Sequence, residues 1–187
     1  MSQLTEIRWH ARAGQGAVTA AKLVAETALS MGRYMQAMPE YGPERAGAPL
    51  KAFTRVCDTP IEVHNNVVNP KTVVVLDDTL LPLVDIAEGI LPGGFIIINT
   101  KMTPQEAKAK LNVSDDITVA TVDASGIAMA TIKRDIPNAA IVSAVIRVTG
   151  VVPLEEFKAH FEGSFAKKEL VPANMEAIDR AYEGVQL

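Results

Sequence analysis

Three short β-branched runs constrain the fold most: Thr72–Leu76 (TVVVL), Phe95–Ile98 (FIII) and Ile117–Val122 (ITVATV). Each is too short for a helix and lacks the alternation of a half-exposed strand, so each suits a strand covered on both faces. Helical patterns lie between and after them. Thr103-Pro104-Gln105-Glu106 places an N-cap, a proline at the first helical position and a glutamate at the third, and predicts a helix to about Leu111. Further helices are expected over Asp123 to Lys133, Asn138 to Thr149 with Gly150 as stop, Leu154 to Phe161, and Ala173 to Tyr182.

The N-terminal third supplies the rest of the sheet. Ile7-Arg8-Trp9-His10 forms a first strand, followed by the loop Ala11-Arg12-Ala13-Gly14-Gln15-Gly16. Then Ala17, Ala20, Ala21, Val24, Ala28 and Met31 recur at helical spacing up to Gly32. Tyr34 to Met38 is a second strand. In a third, Leu50, Ala52, Thr54 and Val56 alternate with Lys51, Phe53 and Arg55, the period of a half-exposed strand. No helix separates these two strands, and parallel neighbours need a crossover, so the sheet is expected to be mixed. The sum is an α/β protein: a three-layer α/β/α sandwich with a mixed, mostly parallel, Rossmann-like sheet, as one domain over residues 1–187.

Composition excludes several classes of function. A net charge of −4 with no dense run of Lys and Arg argues against a nucleic-acid footprint. No stretch of 18 apolar residues occurs and the first residues carry no leader pattern, so a cytoplasmic protein outside the membrane is expected. Cys57 is the only cysteine, too few for a zinc or iron–sulfur site, and is expected to be a small buried hydrophobe.

Candidate chemistry gathers on two loops. Gly14-Gln15-Gly16-Ala17-Val18-Thr19 follows a strand and opens a helix, but Thr19 stands where a dinucleotide fingerprint has its third glycine. Glu40, near the end of the second strand, could serve as the ribose-binding acid of that reading. More generally, the free amides at the helix start, with Arg12 and Thr19, could hold a phosphate or carboxylate, or face only water. The second loop, Pro39-Glu40-Tyr41-Gly42-Pro43-Glu44-Arg45-Ala46-Gly47-Ala48-Pro49, is stiffened by three prolines. Stiffness suits a recognition surface, although a structural loop held by a Glu44–Arg45 or Glu40–Arg55 ion pair is the competing reading. His10 and His64 lack a third partner for a metal. Asp77-Asp78 ends a strand, where an acid could bind magnesium but more often caps a helix. Asn65-Asn66 has no Gly-Asp-Gly upstream, and Ser30, Ser114, Ser125, Ser143 and Ser164 lack a nucleophile-elbow setting, so catalysis by this chain alone is poorly supported.

Arg8-Trp9-His10-x-Arg12-x-Gly14-Gln15-Gly16-x-Val18-Thr19-x-Ala21, then Pro39-Glu40-x-Gly42-Pro43-Glu44-Arg45-x-Gly47-Ala48-Pro49 and Phe53-x-Arg55, resembles the gamma subunit of pyruvate (2-oxoacid):ferredoxin oxidoreductases. The likeness extends to Pro137-Asn138 and Thr149-Gly150-Val151-Val152. It implies a subunit of a complex that decarboxylates a 2-oxoacid, pyruvate in the first instance, with coenzyme A, giving acyl-CoA and CO2 and reducing ferredoxin. It further implies alpha, beta and ferredoxin-like delta partners that carry thiamine diphosphate, magnesium and [4Fe-4S] clusters, with coenzyme A as co-substrate and no cofactor held by this chain alone. On this resemblance Arg12, Gly14, Gln15, Gly16 and Thr19 face coenzyme A or the active site, while Glu40, Tyr41, Gly42, Pro43, Glu44, Arg45 and Arg55 form an interface with catalytic subunits. The family usually has glycines where this chain has Ala11 and Ala13, which would be strained at positive φ. A stand-alone nucleotide- or CoA-binding module without redox chemistry is the alternative.

Overall fold

The computed structural model describes residues 4–40 and 47–187. The strands are β1 (Thr5–Arg12), β2 (Tyr34–Pro39), β3 (Pro49–Cys57), β4 (Thr72–Val75), β5 (Phe95–Asn99) and β6 (Thr118–Val122). The helices are α1 (Ala17–Ser30), α2 (Pro104–Ala109), α3 (Ala124–Thr131), α4 (Asn138–Thr149), α5 (Leu154–Ser164) and α6 (Val171–Glu183). One sheet runs in the order β2-β3-β1-β4-β5-β6. β3 lies antiparallel to both β2 and β1, whereas β1, β4, β5 and β6 pair in parallel, so the sheet is mixed and mostly parallel as expected. No helix among the described residues is long and apolar enough to cross a membrane.

Local signals place several ends. The Thr103 hydroxyl accepts from the Glu106 amide while the Glu106 carboxylate accepts from the Thr103 amide, which closes the capping box at α2. Gly32, at φ 78°, and Gly150, at φ 63°, turn the chain out of α1 and α4 in the left-handed region that glycine tolerates. α3 stops at Thr131, short of the expected Lys133, because Lys133 itself swings to φ 61°. Neither Ala11 nor Ala13 has positive φ: Ala11 is a strand residue of β1, so the replaced glycines leave no backbone strain.

The two sides of the sheet are covered unequally. On one, Ile7, Trp9, Val74 and Ile97 pack under α1, α4, α5 and α6 in a continuous apolar core. α4 is buried from Ala139 to Ile146, as a helix enclosed on all sides must be. Trp9 donates its indole N–H to the Thr54 hydroxyl, which in turn donates to the Ala21 carbonyl, pinning α1 to β1 and β3. On the other side Val73, Val75, Ile96 and Ile98 pack under α2 and the segment after β4 that carries Leu80, Leu81 and Ile86. The third layer is thus mostly irregular chain with one short helix.

β3 departs from the expected half-exposed pattern, since Phe53 and Arg55 are as buried as Ala52, Thr54 and Val56. The irregular segment 58–71 supplies the reason. Arg55 reaches into it, donating to the Asn65 carbonyl at 2.7 Å and to the Asn65 side chain at 3.1 Å. Its ion pair is with Glu6, at 2.7 Å, and not with the expected Glu40. Glu6 stands opposite Arg55 in the β1–β3 register, the shorter reach for a carboxylate on the same face. The Glu44–Arg45 alternative lies outside the described residues.

Candidate functional site

The chain order reverses between β1 and β4: from β1 the chain builds outward to β2 and β3, then returns to add β4, β5 and β6 on the far side. Crevices at such switch points, beyond the carboxyl ends of the strands, are where open α/β sheets hold ligands. Here the loop after β1 meets the loop after β4. Gln15 accepts from the Arg12 amide at 2.7 Å and donates to Asp77 at 2.7 Å. The Arg12 guanidinium pairs with Asp77 at 3.2 Å and donates to the Thr79 hydroxyl and the Gly47 carbonyl. Gly14 and Gly16, at φ 97° and 82°, make the turn that brings these groups together.

Asp77 fulfils the capping expectation. Its carboxylate accepts from the Thr79 amide and hydroxyl at the start of the short 3-10 turn Asp78–Leu80. Partial burial pushes the Asp77 carboxyl up, but hydrogen bonds from Thr79 and Gln15 and the charge of Arg12 together hold it below its ordinary value. The carboxylate is therefore a fixed anion that locks two loops.

Beyond this lock opens a cleft of 620 Å³ along the ends of β4, β5 and β6. Asn99, largely buried, organises its floor by donating to the Leu76 carbonyl and the Ser125 hydroxyl while accepting from the Ser125 amide. Asn99 escaped notice in the sequence, although a polar residue directly after the Phe95–Ile98 run was its signal. Among the described residues, the walls carry Asp77, Asp78, Glu106, Asp123 and Asp135 and one cation, Lys101. Asp78 accepts from Thr100, and Asp123 caps α3 through the Gly126 amide. Acids outnumber cations here, so the cleft favours neutral hydrogen-bonding groups over phosphates.

The five residues expected on the first loop do not share one surface. Arg12, Gly14 and Gln15 lie at the switch point. Gly16 is the N-cap of α1, and a Cβ there would meet the Asn138 side chain at 2.5 Å, so the α1 start is closed against α4. Thr19 falls beyond that contact, on a separate cavity of the helical side. Of the second loop, Tyr41, Gly42, Pro43, Glu44 and Arg45 lie outside the described residues. Glu40 is exposed and accepts from the Asn66 side chain at 3.4 Å. Arg55 is a buried anchor of segment 58–71 and presents nothing to a partner.

The other polar centre is internal. Arg8 donates to the Ile86 and Glu88 carbonyls at 3.1 and 2.5 Å and to His10 Nε2 at 3.1 Å. That bond requires a neutral His10 protonated at Nδ1. Burial, then the charges of Arg8 and Lys51, lower the His10 pKa to about 3. Cys57 is a buried single thiol, Asn65 is engaged by Arg55, and the described residues gather no group of three metal-ligating side chains. These donors do not fit an iron–sulfur cluster or a thiamine diphosphate–magnesium site.

Comparison with known proteins bears on the whole chain. The family described as Pyruvate ferredoxin/flavodoxin oxidoreductase matches residues 6–184. Pyruvate synthase subunit PorC of Thermotoga maritima is 47% identical over 184 residues, covering 97% of this chain and 94% of its own. The common subunit gamma of the pyruvate/ketoisovalerate oxidoreductases of Thermococcus litoralis is 42% identical, covering 96% of both chains. The crystal structure of pyruvate oxidoreductase subunit PORC from Thermotoga maritima superimposes with a TM-score of 0.87 over 98% of each chain. With 42% identity in that alignment, fold and sequence agree from end to end. The chain belongs to the pyruvate ferredoxin/flavodoxin oxidoreductase family, as one of its gamma-type subunits.

Proposed function

We propose that the chain, as one domain over residues 1–187, is the gamma subunit of a complex that oxidatively decarboxylates a 2-oxoacid with coenzyme A, yielding acyl-CoA and CO2 and reducing ferredoxin. The observation that carries this reading is the near-complete match to proteins named as subunits of pyruvate synthase. It favours the subunit over a stand-alone nucleotide- or CoA-binding module. Pyruvate is the first substrate to test. The Thermococcus relative is named as common to pyruvate and ketoisovalerate oxidoreductases, so in our reading the choice of 2-oxoacid falls to the partner subunits.

Thiamine diphosphate, magnesium and [4Fe-4S] clusters are proposed to be carried by alpha, beta and delta partners, as the family resemblance implies, and the described residues of this chain do not fit them. In this reading the described residues of the acidic cleft offer coenzyme A no phosphate cradle, since Arg12 is committed to Asp77 and Thr79. The role proposed for Arg12, Gly14 and Gln15 is to hold the rim of a shared active-site surface in one shape. Gly16 fixes the loop against Asn138, and Thr19 serves a different face. The segment Glu40 to Arg45 is proposed to meet the catalytic subunits.

The test is reconstitution with the partner subunits and assay of pyruvate- and CoA-dependent ferredoxin reduction. Activity that appears only when this chain is present, with no tight CoA binding by the isolated chain, is the expected result. A chain that purifies alone and binds a dinucleotide or CoA tightly overturns the reading in favour of the module.

A further inference from the structure

A second cavity, of 260 Å³, opens on the helical side among α1, α4, α5 and α6. Its interior is apolar, with Leu23, Ile132 and the stacked rings of Phe161 and Phe165, whose centroids lie 4.7 Å apart. Its rim is cationic. Arg134 and Lys167 line it, and neither side chain makes a hydrogen bond or ion pair with the described residues. Every other described arginine is engaged: Arg8, Arg12, Arg33, Arg55 and Arg180 with oxygen atoms, Arg147 with the Tyr182 ring. The neighbouring Lys168 is turned back onto the Glu162 and Gly163 carbonyls. A chain with a net charge of −4 thus leaves two free cations at the mouth of an apolar hole.

A further observation describes the occupant. Ile136, also on the lining, remains 46% exposed, so the apolar surface continues outward past the mouth. A small carboxylic acid would meet the cations and fill the hole but would leave Ile136 bare. An extended peptide offers a bulky apolar side chain and a flanking carboxylate together.

We infer that this cavity receives an extended acidic–apolar segment of a partner subunit, its apolar side chain against Phe161 and Phe165 and its carboxylate on Arg134 and Lys167. The inference rests on the subunit reading above. It also gives the loop from Ile132 to Pro137 two neighbours, since Asp135 of the same loop lines the strand-end cleft.

Two variants of the assembled complex test it. With p-benzoylphenylalanine in place of Ile136, irradiation should cross-link this chain to another subunit, at a segment with a bulky apolar residue within two positions of an Asp or Glu. Combining Arg134→Glu with Lys167→Glu should weaken subunit association about tenfold or more, with the loss reduced at high salt. Both side chains are exposed, so the fold is spared, and circular dichroism of the free chain checks this. A complex that assembles with no cross-link from position 136, with a cross-link to a second copy of this chain or to a basic segment, or with unchanged affinity after charge reversal overturns the docking inference alone. Failure of the unmodified chain to join any complex overturns the subunit reading, and the inference with it.

Discussion

The two faces of the sheet are held by different physics. Under α1, α4, α5 and α6, cohesion comes from apolar area, with Trp9, Ile97, Ile141 and Phe157 all out of contact with water. On the opposite face, over β1 and β3, two buried arginines do the joining: Arg8 holds the chain at Ile86 and Glu88, and Arg55 holds it at Asn65. Apolar packing is tolerant of shape, whereas a buried guanidinium needs each donor matched. The helical face therefore rests on apolar area, while the other, apolar over β4 and β5, adds two arginines over β1 and β3 that fix where irregular chain must lie.

Substitutions can break this contrast at either face. Trp9→Ala should cost most, about 3–5 kcal/mol, because it removes a large buried ring and frees the Thr54 hydroxyl. Urea denaturation measures it, and a loss under 2 kcal/mol would show that the helical face is not the main source of cohesion. Arg55→Leu should cost about 3 kcal/mol by leaving Glu6 and the Asn65 carbonyl without their donor. The sharper measurement is the double variant with Glu6→Leu. It should recover part of that loss, since no half-buried charge is then stranded.

Acid separates the faces without mutation. The unfolded chain takes up a proton on His10 near pH 6.5, the folded protein only near 3, so stability falls as pH drops below 6.5. Each pH unit below that point removes about 1.4 kcal/mol, and about 2 kcal/mol is lost between pH 7 and pH 5. His10→Gln should flatten this window. An unchanged pH profile in that variant would mean that the proton uptake occurs elsewhere. The smallest effect is expected at the loop lock, where Gln15→Ala should cost about 1 kcal/mol in thermal unfolding and lift the Asp77 pKa by removing a donor.

How much of this was legible follows the same division. The strand runs, the capping box at Thr103 and the helix from Asn138 to Thr149 depend on neighbours in sequence, and they stand where the pattern put them. The Gly14-Gln15-Gly16 turn was also visible, because positive φ leaves a glycine signature. Its partner Asp77 lies 62 residues away and gave no sign of the pairing. The burial of Arg55 is hidden from the sequence for the same reason. Alternation on β3 marked Arg55 as solvent-facing, and nothing in an aperiodic segment announces that its carbonyls will cover a strand. Family resemblance identified the chain, but the acidic lining of the cleft became visible only when residues from four segments were brought together.

The Arg55 anchorage also governs how the molecule moves. Residues 58–71 contain no helix or strand, and a segment of that kind ordinarily opens on its own at little cost. Here its detachment must pull Asn65 from a guanidinium rooted in the middle of the sheet. Opening of the segment is thereby linked to opening of β1 and β3. A protease directed at it should cut at a rate set by the unfolding of the sheet, not by loop fluctuation.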